Sequence, residues 1–573
     1  MIETRLYHSL IPIKPDCEPQ GNILNEALMC KNQPYSFQMA YKITDVSKTN
    51  VFFYVKFETE LELSNYYINC VPVLHTDYAN MEKIEPVGLY PDILLPKKTN
   101  PQIVKKHSYA GMRSYEKDEK VMLKAYNDSW QALWITVNEK AKTVKSGVYD
   151  VKIKLYSNDT DELLGESQIK IEVIDEKLPI QSLMYTNWFH HDCLCDYYNV
   201  EVFTDKYFEI MSDYVEKAAR NGMNMILLPS FTPALDTPVG EERMTVQLTK
   251  IKLRDGKYVF DFSLMKRYID ICRRCGIKYF EHAHFFTQWG AKAAPKIIVD
   301  VDGKDKMLFG WHTKATSKKY VAFLREYITA FKQLMKEEKL SGKVLFHISD
   351  EPEEHNIKSY AAAKATIADL LEGEMLGDAL SLYDFYEKGY CKMPIVSTHA
   401  IHNFLGKCDN LWHYYIGWDS QQGMSNRLLQ VSRERNRMLG VQLYYHNIKG
   451  FLHWGYNFYY GPMSQGMFNP LLDPCGGFAG AGGSFLVYPA PDGTAYQSVR
   501  QKIFGEGLID MRAFKLLEKL ADRDKVDEII LKHFGVPSFR ESSKTPEEHI
   551  EFINDIYHNI KNFSKEKLKN ERH

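Results

Sequence analysis

Two adjacent carboxylates stand in the stretch "LFHISDEPEEHN" (345–356), directly after a run of apolar residues. The apolar run predicts a buried strand, so Asp350 and Glu351 would lie at its carboxyl end, just before Pro352. Side chains alternate along a strand, and a residue before proline favours an extended backbone, so we expect the two carboxyl groups to diverge. Carboxyl groups in such a place can move protons or balance a developing positive charge. The two residues, called the acid pair below, form a candidate catalytic centre.

The spacing of the acid pair limits the chemistry that it can perform. Ordinary retaining glycosidases hold two carboxyl groups about 5–5.5 Å apart across one bond, and inverting ones about 6.5–9.5 Å apart. Diverging neighbours suit substrate assistance instead, in which the 2-acetamido oxygen of the sugar is the nucleophile. Asp350 would then orient and stabilise the acetamido group, while Glu351 would protonate the leaving oxygen and later activate water. An acid pair beside a proline also occurs in plain loops, with Glu353 and Glu354 beginning a helix, so the residues alone leave both interpretations open.

The elements that must position this pair follow Pro179, where short apolar runs alternate with helical segments. Helices are predicted near 205–221, 263–275, 317–339 and 355–372. Repeated βα units over this length predict a (β/α)8 TIM barrel in an α/β chain, spanning 179–504. An open doubly wound sheet is the alternative, but no GxGxxG motif follows the first strand. The eight predicted strands lie within 182–189, 223–231, 277–286, 342–352, 376–385, 393–400, 410–418 and 450–460.

Two further regions flank the predicted barrel. Residues 1–178 contain many short alternating strands, which predict an antiparallel β-sandwich domain; the stretch "GLYPDILLPKKTNPQ" (88–102) is interpreted as a turn-rich connection. Residues 505–573 predict a helical region. There Thr545 is an N-cap candidate with Glu548 three residues later, and an isoleucine stripe runs from Ile550 to Ile560.

Polar and aromatic residues recur where the predicted barrel strands end. Active sites of such barrels form at the carboxyl ends of the strands, so these residues should converge on one rim. Aromatic faces pack against the C–H faces of sugars, although most aromatic residues simply fill cores. The rim segments are "TNWFHHD", "EHAHFFTQW", "SDEP", "STHAIHN", "WHYYIGWD" and "HWGYNFYY".

Three stretches of this sequence resemble glycoside hydrolase family 123: "HISDEPEEHN", "NRMLGVQLYYHNIKGFLHWGYNFYY" and "PIVSTHAIHNF". The likeness covers about 183–510, and a β-sandwich ahead of the barrel also fits the family. The family's Asp-Glu pair corresponds to Asp350 and Glu351. The resemblance implies a bacterial, retaining β-N-acetylgalactosaminidase that releases terminal β-linked GalNAc from glycans such as glycosphingolipid oligosaccharides. A β-N-acetylglucosaminidase and a non-catalytic glycan-binding barrel remain as alternatives.

Further substrate contacts are inferred from the rim residues. Trp454 is the best candidate for walling the acetamido methyl group, and a tyrosine, Tyr415 or Tyr383, should hold the acetamido oxygen. The axial 4-hydroxyl of GalNAc should meet a charged or imidazole group. Contacts to the sugar hydroxyls are predicted for His284, Trp289, His399 and Asn457.

No metal or cofactor is predicted. His282 and His284 are two residues apart on one predicted strand, but no acid-and-histidine set in the sequence completes a metal site. Cys272 and Cys275 form a lone CxxC without a second pair. The glycine-rich segment 473–489 lacks the Lys-Ser/Thr ending of a phosphate loop and is predicted to be a flexible loop over the pocket.

Composition limits the partners. The formal net charge is −2, so no strong field favours nucleic acid, and no apolar run is long enough for membrane insertion. The partner expected is a glycan with terminal β-GalNAc, and no protein partner is evident. The first residues, "MIETRLYHSL", lack the apolar run of a signal peptide, so a cytoplasmic location is expected.

Overall fold

The computed structural model describes residues 1–45, 47–75, 86–96, 114–117, 120–417, 419, 423–478, 480–541 and 544–570. The strands are β1 Ile2–His8, β2 Glu26–Cys30, β3 Tyr35–Ile43, β4 Asn50–Glu58, β5 Leu63–Val73, β6 Gly88–Pro96, β7 Ser114–Lys117, β8 Lys120–Tyr126, β9 Gln131–Val137, β10 Gly147–Ser157, β11 Leu163–Ile174, β12 Met184–Asn187, β13 Met225–Leu228, β14 Lys250–Arg254, β15 Lys257–Asp261, β16 Tyr279–His282, β17 Ile297–Val301, β18 Lys304–Phe309, β19 Val344–Phe346, β20 Met375–Leu380, β21 Met393–Ser397, β22 Trp412–Tyr414, β23 Gly450–His453, β24 Tyr488–Pro489 and β25 Ala495–Ser498. The α-helices are α1 His191–Tyr198, α2 Asp205–Arg220, α3 Ser263–Cys275, α4 Lys318–Glu337, α5 Ile357–Ala365, α6 Tyr383–Glu387, α7 Arg433–Tyr445, α8 Val499–Leu520, α9 Arg523–Phe534 and α10 Pro546–Asn570.

The centre of the molecule is a closed barrel of parallel strands in the order β12-β13-β16-β19-β20-β21-β22-β23. Each strand overlaps one of the eight predicted windows, and α2, α3 and α4 lie at the predicted places, so the barrel prediction is confirmed. The sequence did not predict the four-stranded sheet β15-β14-β17-β18, which is inserted into the βα loops. Its strands carry many exposed lysines and lack a continuous apolar run, so they give little signal.

The N-terminal region is a sandwich of two sheets, as predicted. One sheet has the order β1-β3-β9-β5-β6-β25-β24 and the other the order β2-β11-β10-β4-β8-β7. Fully buried side chains of both sheets, such as Phe37, Phe53, Leu133 and Ile153, form its core. Because β24 and β25 lie after the barrel in sequence, the chain returns to complete the first sheet, which ties the sandwich to the barrel.

The interpretation of residues 88–102 as a connection was wrong in its first part, where β6 pairs with β5 and β25. The register of β5 and β6 shifts beside the pairing of Cys70 with Pro91. A bulge of this kind tolerates proline because the ladder is already interrupted there. Residues 97–102 lie outside the described part of the chain.

The C-terminal region is helical, as predicted. The boundary predicted between residues 504 and 505 falls inside α8, so this helix is shared between the barrel and the C-terminal region. The capping box is present, because Thr545 N donates to Glu548 Oε2 at 2.8 Å and Glu548 N donates to Thr545 Oγ1 at 3.2 Å. Ile553, Ile556 and Ile560 are buried against α7 to α9. No helix among the described residues has the length and apolarity needed to cross a bilayer.

A buried ionic cluster joins the sandwich, α7 and α8. Arg437 donates to Asp510 Oδ2 at 2.6 Å and to Glu506 Oε2 at 2.8 Å. Ser9 Oγ of the sandwich also donates to Glu506 Oε2, at 2.7 Å. The three charged side chains are 11 % exposed or less, so each charge depends on its partners rather than on water.

Arg437→Met is expected to lower the free energy of unfolding by about 3–5 kcal/mol, because it leaves two buried carboxylates without their cation. Guanidinium denaturation followed by tryptophan fluorescence measures the change. Arg325→Met is the matched control, since Arg325 pairs with Asp369 on the exposed surface and should leave the midpoint nearly unchanged. Equal midpoints for the two variants would contradict the role given to the cluster.

Candidate active site

The acid pair lies at the carboxyl end of β19, between the loop after β16 and strand β20. Trp289 N donates to the carbonyl oxygen of Asp350 at 2.8 Å, and Glu351 N donates to the carbonyl oxygen of Ala379 at 3.1 Å. Both sides of the pair are thus fixed by backbone hydrogen bonds to neighbouring strand ends. Both side chains are half-buried at the rim.

Glu351 does not have the extended backbone predicted from Pro352. Its φ is +39°, in the left-handed region that residues other than glycine rarely adopt. Such a conformation costs on the order of 1–3 kcal/mol and persists where the surroundings impose it, as the bond to Ala379 does here. β19 ends at Phe346, so the alternation assumed for the sequence no longer holds at the pair. The sharp turn, rather than an extended strand, directs the two carboxyl groups.

The two side chains have different neighbours. Tyr414 at the end of β22 donates its hydroxyl hydrogen to Glu351 Oε1 at 2.6 Å. Asp350 lies close enough to Asp236, in the loop after β13, for the two charges to interact. Burial and then the carboxylate of Glu351 raise the pKa of Asp350 well above its usual value, although the charge of His347 opposes this. A carboxyl group whose pKa is raised in this way beside a second carboxylate is suited to share a proton with it.

The structure brings Tyr414, rather than the predicted Tyr415, to the acid pair. Along β22 the side chains of Trp412 and Tyr414 point into the barrel, while Tyr415 packs outside it against Phe451 and His453. The Tyr415 hydroxyl is buried and has no hydrogen-bond partner among the described residues. The sequence offers two adjacent tyrosines, and only the register of β22 in the barrel separates them.

Tyr414→Phe is expected to lower kcat/KM by about 10–10²-fold, because a hydrogen bond to a charged or reacting group contributes roughly 1.5–3 kcal/mol. Steady-state hydrolysis of an aryl glycoside measures the loss. Tyr415→Phe is a control of identical chemistry at the next position and should retain nearly full activity. A larger loss in Tyr415→Phe would return the predicted role to that residue.

His399, predicted to contact the sugar, stands on the same side of the rim as Glu351. Its Nδ1 lies 3.4 Å from Asp419 Oδ1 and 3.1 Å from Ser397 Oγ, and its side chain is 58 % exposed. The hydrogen bond with Asp419 raises the pKa of His399, and the charge of Glu351 adds to the effect. An imidazolium can therefore face a substrate bound at Glu351.

Trp454, the predicted wall for the acetamido methyl group, is half-buried just after β23. Its ring packs against Phe458 at 5.4 Å and Phe478 at 5.3 Å, centroid to centroid. Phe478 belongs to the glycine-rich segment 473–489, so this segment borders the rim beside Trp454. Position 479 lies outside the described residues.

The other four residues predicted to contact the sugar have no described side-chain contact with the acid pair. Trp289 is half-buried and holds the Asp350 carbonyl through its backbone. Asn457 is fully buried, and its amide group pairs with the backbone of His190 at 2.9 Å in both directions. Tyr383 packs against Phe404 and under Lys407. His284 is buried with neither ring nitrogen hydrogen-bonded to a described residue.

Sequence reasoning missed several polar residues at the site. Asp236 is half-buried, burial raises its pKa, and its Oδ2 has no hydrogen-bond partner among the described residues. Arg243 forms a buried ion pair with Asp192, at 2.7 Å, and its guanidinium lies 5.3 Å from the Phe458 ring centroid. Asp236 and Arg243 lie in the long loop between β13 and β14. Loops of this kind have no periodicity that would mark their residues as part of the site.

One histidine-and-acid group near the site was also not foreseen. The sequence paired His284 with His282, but His282 instead contacts Tyr327 Oη at 2.8 Å. His284 lies beside His347 and Asp378, with one ligand-type atom of each within 4.8 Å of the others. A second such group, near the glycine-rich segment, consists of His75, Asp473 and Cys475. The prediction that no metal takes part stays a prediction.

Comparison with known protein families finds one family model that matches the barrel and part of the C-terminal helical region. The family model described as the catalytic domain of glycoside hydrolase 123 matches residues 188–517, which is more than half of the chain. No curated protein matches the chain significantly by sequence.

Comparison with solved structures finds the same architecture. A family 123 glycoside hydrolase from Clostridium perfringens, solved to describe glycolipid glycan hydrolysis, superposes with a TM-score of 0.70 at 14 % identity, covering 99 % of this chain and 100 % of that one. Two β-glucuronidases, from Bacteroides uniformis and Ruminococcus gnavus, give TM-scores of 0.30 and 0.32 at 9 % identity. They cover 86 % and 89 % of this chain and 48 % and 69 % of their own. Scores this low carry no argument, so the first match alone supports the fold.

Proposed function

The chain belongs to glycoside hydrolase family 123, and we propose that it is an exo-acting, retaining β-N-acetylgalactosaminidase that uses substrate assistance. The observation that carries this proposal is the placement of the acid pair. Two adjacent carboxyl groups stand at one strand end, where Glu351 accepts a hydrogen bond from Tyr414 and Asp350 lies within reach of the charges of Glu351 and His347. One acid can then hold the sugar's own nucleophile while the other handles the proton, which is the arrangement that substrate assistance requires.

In the first step, the acetamido oxygen attacks the anomeric carbon as the glycosidic C–O bond breaks. Glu351 gives its proton to the departing oxygen, and the ionised Asp350 accepts a hydrogen bond from the acetamido N–H and balances the oxazolinium charge. The coupled titration of the pair serves this step. A cation forming beside Asp350 favours the microstate in which Asp350 is ionised and the proton resides on Glu351.

In the second step, Glu351 takes a proton from water as the water oxygen attacks the anomeric carbon and the oxazolinium ring opens. The acetamido group and the water approach from opposite faces in turn, so the β configuration is retained. Tyr414 keeps the Glu351 carboxyl oriented through both steps, since a carboxyl free to rotate would lose the alignment that proton transfer needs.

The remaining rim residues offer contacts to the bound sugar. Trp454 offers an apolar face for the acetamido methyl group. His399 offers an imidazole near Glu351, and a hydroxyl-rich ligand can satisfy the open oxygen of Asp236. The aglycone proposed is an oligosaccharide of the glycosphingolipid type, which is supported by the glycolipid glycan hydrolysis described for the Clostridium perfringens structure.

Release of nitrophenol from three aryl β-glycosides tests the proposal. The N-acetylgalactosaminide should be hydrolysed, and the galactoside, which lacks the internal nucleophile, should not. Faster hydrolysis of the N-acetylglucosaminide would make the enzyme a β-N-acetylglucosaminidase, and binding without turnover would indicate a glycan-binding barrel. Proton NMR should show the β-anomer first; an α-anomer would refute retention.

A further inference from the structure

A layer of buried charged side chains lies on the strands that lead to the acid pair. It consists of Glu281 on β16, His347 just after β19 and Asp378 on β20, all of which are fully buried. His347 Nε2 lies 3.1 Å from Glu281 Oε1, and its Nδ1 lies 3.5 Å from Asp378 Oδ1. The imidazole therefore stands between two carboxylates in a region that water does not reach.

Both carboxylates are held by further donors. Glu281 also accepts hydrogen bonds from the indole N–H of Trp188, at 3.1 Å, and from the hydroxyl of Thr186. Two fixed buried carboxylates around one imidazole create a strong preference for positive charge on the ring.

Asp378 connects this layer to the acid pair. Its Oδ1 accepts hydrogen bonds from the backbone N–H groups of Ile348, at 2.9 Å, and Ser349, at 3.3 Å. Its Oδ2 accepts the hydroxyl hydrogen of Tyr360 at 2.5 Å. The backbone that leads from His347 to Asp350 is thus attached to Asp378. Only Ile348 and Ser349 separate His347 from Asp350, so a change of charge in the layer acts at short range on the acid pair.

We propose that His347 is a positioning residue, held as an imidazolium between Glu281 and Asp378, whose positive charge favours the ionised form of Asp350 in the oxazolinium step. The pKa directions agree with this. Burial lowers the pKa of His347, but Asp378 and Glu281 outweigh it and raise the value to about 9. The charge of His347 in turn lowers the pKa of Asp350, while Asp378 raises it.

The other titratable groups around His347 do not replace its charge. His282 and His284, from β16 and the loop after it, remain neutral, because burial lowers both pKa values, that of His282 to about 3. Asp236 and Glu351 lie further out and add negative charge at Asp350. Neutralising His347 would therefore leave Asp350 among carboxylates alone.

A metal ion shared by His284, His347 and Asp378 is the competing explanation. The rings of His284 and His347 stack 4.5 Å apart at an angle of 21°. Nitrogen lone pairs lie in the ring plane, so those of two nearly parallel rings run side by side instead of converging on one ion. His347 Nε2 is also already taken by Glu281, and Nδ1, although it makes no hydrogen bond to a described residue, lies 3.5 Å from Asp378 Oδ1. The geometry fits a bound proton better than a bound metal.

The protonation state is tested directly on the full-length protein labelled with ¹⁵N-histidine, with His347→Gln used to assign the signal. The His347 nitrogens should keep imidazolium shifts from pH 6 to above pH 8 in the presence of EDTA. Neutral shifts at pH 7, or shifts that change on addition of zinc alone, would overturn the proposal. This measurement needs no substrate, so it is independent of the proposed function on which the mechanistic part rests.

The effect on Asp350 is tested by the pH dependence of kcat/KM on the aryl N-acetylgalactosaminide. His347→Gln should move the acidic limb upward by about one pH unit, because Asp350 loses a nearby positive charge. His282→Gln, which changes a neutral buried histidine, is the control and should leave the limb in place. No shift in His347→Gln, or an equal shift in His282→Gln, would reduce His347 to a packing role.

Discussion

Asp350→Asn is expected to lower kcat on aryl β-N-acetylgalactosaminides by about 10²–10³-fold, the usual effect of removing one electrostatic group aimed at a developing charge. The substituted amide has nearly the same shape and still occupies the site between Asp236 and Glu351. It cannot balance the oxazolinium ion, because the negative charge is gone. The loss should therefore appear in kcat, with KM changed little. Initial-rate kinetics on nitrophenyl and dinitrophenyl glycosides measure it.

The leaving group separates this role from proton donation. Asp350 acts on the acetamido group and not on the departing oxygen, so the loss in Asp350→Asn should be similar for both aryl substrates. Asp384→Asn, an exposed aspartate on α6, is a control for the same chemical change away from the rim. Rates close to wild type in Asp350→Asn would refute the assignment of Asp350.

The barrel was predictable because its strands depend on local information. Each of the eight strands is a short apolar run, and the helices α2, α3 and α4 carry apolar stripes on one face, so both patterns can be read without knowing the fold. The position of the acid pair followed from the same information, since a charged dipeptide after an apolar run must lie at a strand end. The resemblance to family 123 then supplied a mechanism that the strand pattern could not.

The details of the site depended on relations between distant segments. Tyr414 and Tyr415 are equivalent in sequence, and only the packing of β22 between β21 and β23 decides which one enters the barrel. The left-handed backbone of Glu351 is imposed by Ala379, which belongs to the next strand. Pro352 alone predicted the opposite, because the local preference of a residue before proline is weaker than the constraint of two flanking strand ends.

The buried layer of charged side chains shows the same limit. Glu281, His347 and Asp378 come from three strands, and each of them alone resembles an ordinary polar residue near a strand end. Burying two carboxylates and an imidazole is favourable only when all three are present with good geometry. A sequence shows each of these residues but not that they lie together in the fold. The sugar contacts of His284 and Asn457 were therefore predicted without knowledge of the residues that surround them. Those contacts and the cytoplasmic location stay predictions.

Glu351→Gln is expected to have the second large effect, and its size should depend on the leaving group. Protonation of the departing oxygen contributes about 10²–10⁴-fold for a sugar alcohol, which is a poor leaving group. A dinitrophenolate departs with little help from an acid, so its release should be slowed far less. Measuring kcat/KM on a GalNAc-terminated oligosaccharide, on nitrophenyl and on dinitrophenyl GalNAc gives the loss as a function of leaving-group acidity.

If the loss of activity in Glu351→Gln depends steeply on leaving-group acidity and the loss in Asp350→Asn does not, Glu351 is the proton donor and Asp350 balances the charge. Glu353→Gln, two residues further along and 70 % exposed, is the matched control and should behave as wild type. Equal losses of Glu351→Gln on all three substrates would instead contradict Glu351 as the acid. Because Tyr414 donates to Glu351, Tyr414→Phe should show a smaller loss with the same dependence on the leaving group if the tyrosine acts by orienting that carboxyl group, and equal losses on all three substrates if it only fills the rim.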